Sequence, residues 1–112
     1  MGITAAVGRA FVNRNRNVYC LISDGECFEG SVWESLQFAN EQNLDNLKIF
    51  VNANGFAAYR SINLDRLEEK IKVFNPKVKF VRTTVEYFGL IGIAAHYDQI
   101  TEEQYLTAIE SL

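Results

Sequence analysis

Two short apolar runs constrain this chain more than anything else in it. Val18-Tyr19-Cys20-Leu21-Ile22 and Leu47-Lys48-Ile49-Phe50-Val51 are each the length of one strand, and a helical pattern lies between them. Short runs rich in strand formers and bounded by turn residues read as buried strands. A strand, a helix and a strand in that order form a right-handed crossover, which makes the two strands parallel. Parallel strands end at the same sheet edge. The acidic turn Ser23-Asp24-Gly25-Glu26 and the turn Asn52-Ala53-Asn54-Gly55 then lie side by side, where Asp24 and Asn54 can hold one hard cation between them.

The rest of the pattern alternates in the same way. Ile3, Val7, Ala10 and Phe11 recur at helical spacing and predict a helix over residues 4–13, with Gly2 at its start. Ser31 reads as the cap of a helix that Asn43 ends, with Glu34 at the capping-box position; Val32, Leu36 and Ala39 form its apolar stripe, with Trp33 alongside. Residues 52–63 are a turn-rich connection. Leu64, Leu67, Ile71 and Phe74 predict a helix over 65–74 that Pro76 stops, and 78–84 reads as a third strand. Residues 86–96 are ambiguous, with Gly89 and Gly92 suggesting a loop, and Thr101 with Gln104 forms a capping box for a last helix with Tyr105, Ala108, Ile109 and Leu112 apolar. The expected fold class is α/β, a three-layer α/β/α arrangement around a small parallel sheet, in one domain over residues 1–112.

Composition removes several function classes. A net charge of −3 offers no electrostatic footprint for nucleic acid. No apolar run approaches the roughly 18 residues of a membrane span. Ala6 stands where a myristoylation signal needs Ser or Thr, and no signal peptide is visible, so a cytoplasmic protein is expected. Cys20 and Cys27 match neither a zinc spacing nor a disulfide framework, and Cys20 inside an apolar strand reads as a buried thiol.

The stretch from Asp24-Gly25 to Asn54 resembles the thiamin diphosphate (ThDP) motif of the transketolase family, which begins Gly-Asp-Gly and ends at an Asn about thirty residues later. Glu29-Gly30, Trp33-Glu34 and Leu44-Asp45-Asn46-Leu47 carry the resemblance further. It is strong over residues 2–56, weaker over 80–112 and poor between. One departure is Ser23, where the family has its first Gly; Asn54-Gly55-Phe56-Ala57 is also similar to the 2-oxo-acid dehydrogenase E1 branch.

The resemblance implies a shortened ThDP-binding fold. Asp24 and the Asn54 side chain, with the Phe56 carbonyl, would ligate Mg²⁺, and the Gly25 and Glu26 amides would hold the cofactor's diphosphate. Glu29 and Glu34 match an acidic cluster at the family's dimer interface, with Trp33 beside them; a solvated loop residue and a helix-start acid are the ordinary alternatives. His96 resembles a His near diphosphate and substrate, or is a plain surface histidine. The implied reaction is two-carbon ketol transfer between sugars. The pyrimidine-binding domain and the upstream histidines of the family have no counterpart here. A homodimer or a partner chain carrying the pyrimidine domain is therefore expected, with no activity from the chain alone. The other reading is a non-catalytic interaction domain that keeps the fold.

Overall fold

The chain runs α1 (Gly2–Val12), β1 (Val18–Ser23), α2 (Gly30–Glu41) and β2 (Leu47–Ala53). A small hairpin of β3 (Phe56–Ala57) and β4 (Arg60–Ser61) precedes α3 (Leu64–Phe74) and β5 (Lys79–Arg82). A second hairpin, β6 (Glu86–Tyr87) with β7 (Leu90–Ile91), leads into the short α4 (Ile93–Tyr97), and α5 (Glu102–Glu110) comes last. This computed structural model describes residues 2–57, 60–84, 86–87 and 89–110, and for Glu86, Tyr87 and His96 the backbone alone. Leu112 of the expected last helix lies outside the described residues.

The parallel sheet forms as the crossover argument requires, in the order β1-β2-β5. Cys20 stands opposite Ile49, Ile22 opposite Val51, and Val51 opposite Phe80. One core joins the sheet to three helices. Ile3, Val7 and Ala10 of α1, Val32, Leu36 and Ala39 of α2, and Leu67 and Ile71 of α3 pack with Cys20, Ile22, Ile49, Val51 and Val78. Burial alternates along β1, and its other face holds Tyr19 and Leu21 at 69% and 72% exposure. A helical layer expected on both faces therefore does not cover β1 among the described residues, and the continuous apolar run works as a one-sided strand.

Local chemistry explains most element ends. The Asn63 side chain accepts the Arg66 amide at 3.0 Å and caps α3. Asn43 takes a left-handed φ of 49° and closes α2. The Thr101–Gln104 capping box closes as expected, at 2.8 and 3.3 Å. Ser31 does not cap α2. The helix begins two residues earlier, at Gly30 with Glu29 as its extended cap, following a single 3-10 turn over Glu26–Phe28. Residues 86–96 pair as a hairpin and a short helix instead of a plain loop.

Leu44-Asp45-Asn46-Leu47 has a structural task. The Asn46 amide nitrogen lies 3.0 Å from the carbonyls of Ala10, Asn13 and Arg16, so this buried side chain holds the connection from α1 to β1. Leu44 and Leu47 are core residues, and Asp45 pairs with Lys77 at the surface.

Candidate functional site at the carboxyl edge of the sheet

Ser23 lies opposite Asn52 in the β1–β2 register, so both turns leave the sheet at one edge. The Asp24 amide donates to the Asn52 carbonyl at 3.1 Å and extends that ladder. Asp24 is fully buried at 0% exposure. One of its carboxylate oxygens accepts the Gly25 amide at 2.8 Å, and the other accepts the Gly55 amide at 2.7 Å. A single carboxylate thus ties the two turns together. Gly55 makes that possible with a φ of +87°, a conformation that a side chain resists.

Asn54 and Phe56 sit at the same edge. The Asn54 side-chain oxygen accepts the Phe56 amide at 3.0 Å. A Cβ added at Gly25 would meet the Ala57 Cα at 3.6 Å and the Phe56 carbonyl oxygen at 3.9 Å. The Gly25 backbone is ordinary right-handed helix, with φ −63° and ψ −39°, so its dihedrals do not demand glycine. The hydrogen atom there keeps open the space between the two turns.

Ser23 and Glu26 form a reciprocal pair. The Glu26 carboxylate accepts the Ser23 amide at 2.8 Å, and the Ser23 hydroxyl accepts the Glu26 amide at 3.1 Å. Ser23 has no positive φ, so a serine is unstrained at this position. The sequence carries the Ser-x-x-Glu spacing twice, at Ser23 and at Ser31, and the fold uses the first.

Cys27 lies beneath this turn, its thiol 3.4 Å from the Ser23 carbonyl that accepts it. Burial, and then the charges of Asp24 and Glu26, push the thiol up to about 12 from the usual 9.0. A thiol held neutral is a poor nucleophile, so Cys27 is expected to resist alkylation at pH 8 until the chain unfolds. The folded state holds this proton more tightly than the unfolded one does. Its contribution to stability is therefore complete below pH 9.0 and falls away as pH rises towards about 12. Urea titrations of wild type and Cys27→Ala across that window should converge in stability as pH rises; a constant gap would refute the assignment.

The remaining expected residues are less tightly gathered. Glu29 and Glu34 are exposed at the start of α2. Trp33 turns into its own domain, donating its indole N–H to the Cys27 carbonyl at 2.8 Å and packing against Phe74 at 5.2 Å between ring centroids. His96 lies in α4, and its side chain is outside the described set. Gly92, just before α4, packs under Phe56, since a Cβ there would lie 2.7 Å from the Phe56 Cζ. This brings the start of the His96 helix to the second turn. Sequence reading missed Arg60, whose guanidinium sits 4.3 Å over the Phe28 ring. Arg60 shares a groove of about 570 Å³ with Ser23, Gly25, Glu26, Phe28, Glu29 and Ala57. Only the cation-aromatic contact distinguishes it, and no spacing rule announces that.

The donor set suits a hard cation. One carboxylate, one amide oxygen and one main-chain carbonyl are all oxygen ligands, the kind that Mg²⁺ prefers. Among the described residues no group of three His, Cys, Asp or Glu side chains could hold a metal, so a cation here would rely on this mixed set. The amides expected to hold phosphate are differently placed, because Gly25 donates to Asp24 and Glu26 donates to Ser23. A diphosphate at this turn must share or displace those internal acceptors.

A parallel sheet in the order β1-β2-β5, with two turns joined at its carboxyl edge, defines a small α/β protein. Comparison with known proteins is more specific. The mouse (Mus musculus) transketolase-like protein 2 is 45% identical over 58 residues, covering 47% of this chain and 9% of that protein. The human (Homo sapiens) transketolase is 43% identical over 58 residues, 47% of this chain and 9% of its own length. Transketolase-like protein 1 of Macaca fascicularis is 46% identical over 50 residues, 45% of this chain and 8% of the relative. Over the matched half, this chain is similar to transketolase and transketolase-like proteins. It spans about a tenth of the length of these curated relatives. No protein-family profile matches the chain and no solved structure matches its fold. Among the described residues, no helix is long and apolar enough to cross a membrane.

Proposed function

We propose that this chain is the diphosphate- and Mg²⁺-binding part of a transketolase-like ThDP enzyme that transfers two-carbon ketol units between sugars. It acts with a chain that carries the pyrimidine domain. The observation that carries the reading is the Asp24 carboxylate, fully buried and bonded to both Gly25 and Gly55, with the Phe56 carbonyl beside Gly25. Asp24, Asn54 and the Phe56 carbonyl would hold Mg²⁺. Gly25 and Glu26 would meet the diphosphate, Glu26 by releasing the Ser23 hydroxyl. When bound, thiamin diphosphate supplies the carbanion chemistry of ketol transfer, and the protein supplies binding and orientation. His96 would stand near the substrate, and Glu29 and Glu34 would face a partner subunit, while the Trp33 indole stays bonded within this chain.

The test is ketol transfer by wild type and three variants, with the pyrimidine-domain chain in excess. Asp24→Ala is expected to abolish activity, because the diphosphate loses its charged metal ligand. His96→Ala should cost less and Glu34→Gln least, each 1.36 kcal/mol of barrier being about tenfold in rate. Calorimetry with Mg²⁺ and ThDP should show weak or no binding by the chain alone, since the pyrimidine end of the cofactor would be held by the other chain. Full activity in Asp24→Ala would end the proposal.

A further inference from the structure

Two features outside the Asp24 turn complement each other. The first is a groove of about 740 Å³ between the 3-10 turn, α2 and α3, floored by Phe28, Trp33 and Phe74 and rimmed by Arg60, Arg66 and Lys70. None of these three cations forms an ion pair among the described residues, although the chain as a whole carries a net −3. Arg66 and Lys70 are four residues apart on α3 and so rise on one side of the groove, with Arg60 on the other. The second feature is α5. It has no buried residue, and Tyr105, Leu106 and Ile109 are about half exposed on it. It holds Glu102, Glu103 and Glu110 and no basic residue. Tyr105 and Ile109 share one helix face, and Glu103, Leu106 and Glu110 line the neighbouring one.

We propose that the aromatic groove of one copy receives α5 of a second copy, with Tyr105, Leu106 and Ile109 on its floor and the glutamates against its basic rim. Among the described residues, no helix lies in the groove, and no α5 side chain is buried. The groove is apolar with an excess of positive charge, and α5 is apolar with an excess of negative charge. A helix of nine residues is about 13 Å long, which suits a groove of this size. Reciprocal exchange gives two such contacts around one two-fold axis and closes the assembly at a dimer. The contact uses neither the metal ligands nor a cofactor, so its failure would leave the proposed function standing.

Sedimentation equilibrium on the full chain tests it. The expected result is a concentration-dependent dimer that weakens as salt rises from about 0.05 to 0.5 M, since the rim charges are exposed to screening. Glu103→Lys with Glu110→Lys should weaken association by about tenfold or more, and so should Arg66→Glu with Lys70→Glu, because each sets like charges face to face. The four substitutions together should restore it. All four positions are exposed, so circular dichroism should be unchanged. A chain that stays monomeric, including one with α5 docked on its own groove, overturns the proposal. So does association that is indifferent to salt, or a fourfold variant that fails to recover.

Discussion

Asp24→Ala is expected to destabilise the chain by about 2–3 kcal/mol with no metal present, a fall in melting temperature of roughly 10–15 °C. Two hydrogen bonds to a carboxylate are lost together, and each such bond contributes about 1.5–3 kcal/mol. The loss is not their full sum, because the substitution also removes the cost of burying an ionised group. What remains is two turns with no atom between them and a Gly55 amide left without its acceptor. Asp24→Asn keeps one acceptor oxygen and should fall between alanine and wild type. Urea denaturation in chelator measures all three. A loss under about 0.5 kcal/mol for alanine would mean that the carboxylate does not hold the turns together.

Leu36→Ala should be worse. Leu36 is fully buried at 0% exposure, and its helix packs between α1 and α3 over the sheet. Removing a leucine side chain from such a place costs about 2.7–5 kcal/mol, through lost transfer energy and the cavity left behind. A domain of this size has total stability of only about 5–15 kcal/mol, so the variant should populate the unfolded state measurably at 37 °C. Leu21→Ala is the control. Leu21 is 72% exposed on the uncovered face, and its truncation should change stability by no more than about 0.5 kcal/mol. Equal effects at the two positions would contradict the one-sided core.

Legibility in the sequence followed the range of the interaction. The apolar runs of β1 and β2 were readable because a strand's composition is local, and their parallel pairing followed from the length of what separates them. The Thr101–Gln104 box was readable for the same reason, its partners being three residues apart. The Ser31 cap failed because a 3-10 turn over Glu26–Phe28 brings the chain to Glu29 ready to enter the helix, ahead of Ser31. Spacing alone does not announce that turn. That Asp24 and Asn54 share an edge was legible; that the Asp24 carboxylate bonds the Gly55 amide was not, because it depends on a positive φ at Gly55. The periodicity of α5 disclosed an apolar face, but periodicity does not say whether anything packs on it. The uncovered side of β1 was hidden in the same way, since an apolar run looks alike whether one face or both are covered.

The position of β1 has a consequence for handling the protein. It is an outer strand of the β1-β2-β5 sheet, and its far side offers main-chain N–H and C=O groups to any extended segment that arrives. Tyr19 and Leu21 make that border sticky, and among β1 side chains there is no lysine or proline to repel a newcomer. Fibrillar growth could then start from intact molecules, by strands adding to strands, without any melting step.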